Sequence, residues 1–159
     1  MDAADAGKTH KSLRHALGGL EAGVTGALLM IVWTMAASLL SRRSIWTIPN
    51  LYATTFYGAR AYENQFLRSS WSGMALIVAI CGFGGMLWGV IVKDQSRPFL
   101  ALFGAFAGLA VYFLFFAVIW LHANPLIPLY APARQTQIGF VLWGLALARS
   151  PRFSRGVAI

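Results

Sequence analysis

Charge is what this sequence has least of. Only 11% of its 159 residues are charged, less than half the roughly 25% usual in soluble domains. Acidic residues are scarcer still, with 5 Asp and Glu against 13 Lys and Arg. A chain that is 58% hydrophobic with so little charge is excluded from the ordinary soluble class and reads as an integral membrane protein. Cysteine is nearly absent too. The single Cys81 rules out an intrachain disulfide or a thiolate metal cluster and reads as a small packing residue. Nor does the chain carry a GxSxG elbow, an HExxH zinc motif or a phosphate-cradling P-loop, so none of those chemistries is announced.

Histidine is limited to His10, His15 and His122, and no pair of them falls within the apolar runs. Haem or metal ligation within one chain needs at least two donors at a workable spacing. No intrachain haem or metal site is expected, and the cofactor stays unknown: a bound lipid, or a pigment shared with a partner, remains open.

Long apolar runs are what the sequence does have. About 20 apolar residues cross a hydrocarbon core of about 30 Å, and residues 16–40, 72–92 and 98–121 qualify. A fourth stretch, 133–149, has an uninterrupted apolar centre only from Ile138 to Ala148. It spans if its polar ends sit among headgroups, and is otherwise a re-entrant or surface helix. The expected fold is all-α, a four-transmembrane-helix bundle with an amphipathic interfacial helix in the segment 41–71. A basic, mobile segment 1–15 precedes the bundle and a basic tail, 150–159, follows it. Lys8, Lys11 and Arg14 before the first run resemble a secretory leader, but the run is too long and ends in more positive charge, so an uncleaved span is expected.

With four spans, Lys8, Lys11, Arg14, Lys93, Arg97, Arg149, Arg152 and Arg155 share one side, opposite Arg42, Arg43, Arg60, Arg68 and Arg134. The richer side faces the cytoplasm by the positive-inside rule, so both termini are expected there. These cations flank apolar runs instead of clustering on a soluble face. Anchoring to lipid headgroups, at about 1 kcal/mol per surface cation, accounts for them, and nucleic acid is not an expected partner.

Small residues recur four apart in every run: Gly19 with Gly23, Ala22 with Gly26, Gly85 with Gly89, Gly104 with Gly108, and Gly144 with Ala148. Lipid tails give helices no hydrophobic reason to associate, so close backbone approach at such faces has to hold them together. Between the first two runs, Tyr52, Phe56, Ala59, Tyr62 and Phe66 fall on one helical stripe after Pro49. That pattern predicts a helix lying in the interface, with Asn50 as its cap and Gly58 as a possible break. The stripe is either an interfacial anchor or a ligand-facing aromatic box. "IPNLYA" at 48–53 is echoed by "IPLYA" at 127–131. Whether or not the two share ancestry, Ile-Pro is expected to end a helix, with Tyr52 and Tyr130 anchoring the turns at the membrane surface.

Intramembrane ionisable groups are suspects for function, and Glu21 stands one and a half turns into the first run. It either faces the bundle as a proton or cation site, or pairs with Arg149 or Lys93. His122 reads as a helix C-terminal residue bonding the last carbonyls, or as a proton-exchanging group beside Asn124 and Arg134 that positions a headgroup phosphate.

Taken in order, "SIWTIPNLYATTFYG" (44–58), "WSGMALIV" (71–78), "NPLIPLYAPAR" (124–134) and "GFVLWGLALARSPRF" (139–153) resemble a group of small bacterial four-helix inner-membrane proteins. The resemblance implies that fold and location and brings no established activity. The group's pattern has histidine after the glycine of its last helix, where this chain has Phe140 after Gly139, which removes a polar site.

The expected function is a non-catalytic accessory or structural membrane subunit, packed among lipids against other membrane subunits or copies of itself. The alternatives are a small homo-oligomeric transporter or channel using Glu21 and an outer-face lipid-acting enzyme.

Overall fold

The computed structural model describes residues 3–92 and 97–151, with side chains described over 12–92 and 98–151. The side chains of Lys8, Lys11 and Arg97, together with Lys93 and the basic tail from residue 152 onward, lie outside the described residues. Every regular element among them is helical. In order these are α1 (Ala3–Leu40), α2 (Thr47–Tyr57), a single 3₁₀ turn (Gly58–Ala61), α3 (Arg68–Ile91), α4 (Arg97–Leu114), a π-helical turn (Phe115–Ile119), α5 (Trp120–Ala123), α6 (Leu126–Tyr130) and α7 (Ala133–Leu147).

Three helices are long and apolar enough to cross a membrane: Ser12–Leu40 within α1, Arg68–Ile91, and Pro98–Ala123 through the π turn. The chain is therefore an all-helical protein of membrane character. The fourth expected span is α7, whose 15 residues reach about 22 Å at about 1.5 Å per residue. At its start α1 runs without a break from Ala3 into the first span.

The long helices pack as an antiparallel row in the order α3, α1, α7, α4. Small residues set this order, because they let backbones touch. A Cβ on Gly85 would strike the Gly19 carbonyl oxygen, and one on Gly19 would strike that of Gly85 in return. Gly23 meets Gly85 and the Cys81 carbonyl in the same seam. At the other end of the row Gly104 and Gly144 abut backbone to backbone, and Gly108 sits on the Phe140 carbonyl. Between α1 and α7, Gly26 receives the Trp143 ring, whose Nε1 donates to the Cys81 carbonyl on α3 at 3.2 Å. Inside α1 the hydroxyls of Thr34 and Ser38, both buried, bond back to the carbonyls of Ile31 and Thr34, which keeps them satisfied within their own helix.

The segment between the first two spans departs from the sequence expectation. The aromatic stripe is not one helix: α2 ends at Tyr57, and Gly58, at φ 67°, takes the left-handed backbone that turns the chain. Nor does α2 lie flat in an interface with one face wet. Its residues Thr47–Thr54 are all buried, because α3, α1 and α6 surround it. Gly73 on α3 allows this, since a Cβ there would collide with the Pro49 carbonyl.

The Ile-Pro pairs also act opposite to expectation. Pro49 and Pro128 each stand third in a helix that they help to begin. Backbone N–H groups in a first helical turn have no intrahelical partner, so proline's missing donor costs nothing there. In both copies the isoleucine just before is buried, Ile48 at 2% and Ile127 at 0% exposure, and α2 and α6 touch. The echoed peptides therefore fold alike, each driving one isoleucine into the same end of the bundle.

Candidate functional site

At the end of the bundle where α1 finishes, a short polar network holds the irregular segments in place. Asn50, fully buried, is not the helix cap expected of it. Its Nδ2 donates to the carbonyls of Glu63 and Gln65 at 2.7 and 2.9 Å, and its Oδ1 accepts from Ser70 Oγ at 2.5 Å. Ser70 Oγ in turn accepts the Leu67 N–H at 3.0 Å. One side chain thus clips the 62–67 loop to both α2 and the start of α3. Gln135 does the same between α7 and α1, donating from Nε2 to Ser41 Oγ at 2.6 Å and to the Ala37 carbonyl at 3.3 Å, while Trp33 Nε1 donates to the Gln135 carbonyl at 2.8 Å.

A polar pocket of about 510 Å³ opens at this end, lined by Arg42, Arg43, Ser44, Thr47, Tyr62, Asn64, Leu129 and Tyr130. The Tyr62 and Tyr130 rings contact one another across it, with centroids 5.2 Å apart. Its arginines sit on the turn that closes α1. The Arg43 N–H bonds the Ser38 carbonyl at 2.8 Å and the Arg42 N–H bonds that of Leu39 at 2.9 Å. This paired closure places Arg42 at φ 55°, the one left-handed non-glycine residue among those described, in a position that glycine usually takes.

A second cavity, apolar and about 380 Å³, runs between α3 and α4. Phe83, Leu87 and Ile91 form one wall and Ala107, Val111 and Leu114 the other, with Phe140, Trp143 and Leu147 of α7 as the floor. Phe83, Leu87, Ile91 and Leu114 are exposed at its mouth. The two helices that flank it, although consecutive in the chain, form no extended contact among the described residues.

The structure separates most of the polar residues that the sequence singled out. Glu21 is exposed on the perimeter of α1; its carbonyl accepts from Thr25 Oγ1 at 2.8 Å, and no ion pair reaches it among the described residues. It neither faces the bundle interior nor pairs with Arg149. His122 is exposed and its Nδ1–H donates to the Val118 carbonyl at 2.8 Å. Asn124 is buried and occupied: Nδ2 donates to Thr54 and Thr55 hydroxyls at 2.7 and 3.0 Å, and Oδ1 accepts the Leu126 N–H at 3.3 Å. Arg134 is exposed on α7. None of these lines the polar pocket.

The aromatic set divides as well. Tyr62 and Tyr130 meet in the pocket, Phe56 stacks edge-on with Tyr57, and Phe66 lies between Trp46 and Trp71. Tyr52 instead is buried edge-on against Trp120, its hydroxyl without a hydrogen-bond partner, and burial pushes its phenol above the usual tyrosine range. Gly19, Gly23, Gly85, Gly89, Gly104 and Gly108 all lie in the helix seams.

Sequence reasoning missed Asn50, Arg42, Arg43 and Asn64. The first carries no local signal, since its partners are 13 to 20 residues away. The arginine pair was visible, but only as charge on the side opposite the termini. Among the described residues no group of three or more His, Cys, Asp or Glu side chains is placed to hold a metal. The chain matches no family model, no curated protein and no solved structure.

Proposed function

We propose that the chain is a non-catalytic membrane subunit, a four-helix bundle with α7 as its fourth crossing, that packs laterally against a larger membrane assembly. The observation that supports this is the open α3/α4 seam. Two seams close through backbone contact at small residues and a third through the Trp143 ring seated on Gly26, whereas the α3/α4 seam leaves an apolar groove facing sideways, into which a helix of another subunit fits. The cation distribution along the sequence favours termini in the cytoplasm, with the polar pocket on the opposite face of the membrane, and the resemblance to small bacterial inner-membrane proteins makes that membrane the bacterial inner one.

The test is gentle extraction in native lipid, followed by particle mass, identification of co-purifying chains and a visible absorption spectrum. A companion chain in fixed stoichiometry is the expected result, and absorption would add a pigment shared with it. A particle holding a single copy of this chain and nothing else would sink the reading.

A second reading, a homo-oligomeric transporter or channel, draws on the exposure of Glu21. A carboxylate on the perimeter of a span reaches a path only where copies meet. It predicts that Glu21→Gln abolishes solute flux in reconstituted vesicles without impairing insertion, and unchanged flux would dismiss it. The lipid-acting reading loses most, because Asn124 has spent its carboxamide on Thr54, Thr55 and Leu126.

A further inference from the structure

We propose that the pocket at the end of α1 binds the headgroup of an anionic phospholipid, with Arg42 and Arg43 holding its phosphate. The inference stands apart from the accessory-subunit reading, since it concerns the opposite end of the molecule from most of the open groove and needs no partner chain.

Charge is the first argument. Two adjacent guanidiniums line the pocket, and neither has an acidic partner among the described residues. The nearest carboxylate in sequence, that of Glu63, accepts from Gln65 Nε2 at 2.9 Å. Guanidinium forks match the paired oxygens of a phosphate, which a lysine does not. A site carrying two unopposed positive charges favours a lipid of net negative charge over a zwitterionic one.

Shape and surroundings give the second. The pocket lies where the first span ends. Leu39 and Leu40, just before the arginines, are 62% and 83% exposed, and Leu129 on the rim is 71% exposed. In a soluble protein such residues would be out of place; here they supply the surface along which acyl chains descend. The Tyr62–Tyr130 pair and Asn64 offer hydroxyl and amide groups at headgroup level, where tyrosine is enriched. A free phosphate ion would use the arginines and leave this apolar rim without a function.

Preorganisation gives the third. Arg42 is held in a left-handed backbone by two bonds of the helix-end turn, a conformation that a non-glycine residue adopts only at a cost. Asn50 fixes the loop that carries Tyr62 and Asn64, and Gln135 ties Ser41 to α7. Groups already positioned lose little freedom when a ligand arrives.

The test is native mass spectrometry of the detergent-solubilised full chain, titrated with phosphatidylglycerol, with phosphatidylcholine, and with inorganic phosphate as competitor. Expected are one tightly held phosphatidylglycerol per chain, weaker phosphatidylcholine, and no displacement by excess phosphate. In Arg42→Asn/Arg43→Gln, phosphatidylglycerol affinity falls by roughly tenfold or more; asparagine is chosen because it tolerates the left-handed backbone. Arg134→Gln, an exposed arginine outside the pocket, leaves affinity unchanged. Circular dichroism confirms that each variant folds, and Arg43→Gln alone, with its ordinary backbone, carries the test if the double variant does not. Unchanged binding in the arginine variants, or equal loss in Arg134→Gln, overturns the site. Displacement by inorganic phosphate makes it a soluble-anion site and overturns the lipid.

Discussion

Gly84 and Gly85 are neighbours on α3, yet they belong to opposite kinds of surface. A Cβ on Gly85 would run into backbone of α1, the Gly19 carbonyl and the Gly23 Cα, whereas one on Gly84 would meet only the edge of the Trp143 ring at 3.0 Å. The first glycine is part of a seam in which two main chains touch. The second lines the groove where α3 and α4 stay apart. Membrane helices associate by close van der Waals fit, so a rotation of about 100° around one helix separates a surface that holds the fold from one free to meet something else.

Breaking the closed seam gives the largest expected effect. Gly85→Leu pushes α1 and α3 apart along backbone that cannot yield, and a loss of about 3 kcal/mol or more is expected, at the upper end for overpacking. Tryptophan-fluorescence melting in detergent reads it, and a melting point unchanged from the parent would mean that the seam contributes little. The α2/α3 contact adds a polar clamp to the same kind of close approach, with Gly73 under the Pro49 carbonyl and Asn50 bonded to Ser70. Asn50→Ala strands the Ser70 hydroxyl and two carbonyls, for an expected loss of about 2 kcal/mol. Faster hydrogen exchange over residues 62–70 than elsewhere checks that the damage is local.

The open seam is expected to tolerate change best. Gly84→Ala stays within about 1 kcal/mol of the parent, because better helix propensity offsets a small shift of the Trp143 ring. A melting point lowered as far as by Gly85→Leu would erase the distinction between the two surfaces. Leu87→Trp at the groove mouth sharpens it from the other side: the isolated chain melts as before, while the companion chain is lost from the native-lipid preparation.

Much of the helical plan is legible before any coordinates are known. The three longest runs, 16–40, 72–92 and 98–121, correspond to α1, α3 and the α4 to α5 rod, since a run of apolar side chains with no backbone partner in lipid has to close its own hydrogen bonds. Glycines four apart announce a packing face for the same local reason. What they do not announce is which face meets which: Gly104 finds Gly144 and Gly19 finds Gly85 across separations that no local pattern spans. The stripe from Tyr52 to Phe66 misled because it measures periodicity alone, and one glycine at positive φ ends the helix halfway along it.

The candidate site was less legible than the fold. Glu21, His122, Asn124 and Arg134 stood out because polar groups near lipid are conspicuous, but conspicuousness does not bring them together. Asn124 and Asn50 serve as internal fasteners, each bonded to residues far along the chain. Arg42 and Arg43 looked like flanking charge until α6 and the 62–67 loop brought two tyrosines beside them.

By itself, then, the sequence determined a helical chain of membrane character, the extent of its long apolar segments and the small-residue faces that draw them together, since each follows from side-chain chemistry within a few residues. Only the tertiary structure decided that α2 is buried, that one seam stays open and that two arginines share a pocket with two tyrosines. Those outcomes depend on how whole helices fit against one another, and that fit is a sum over contacts between residues that no local window contains.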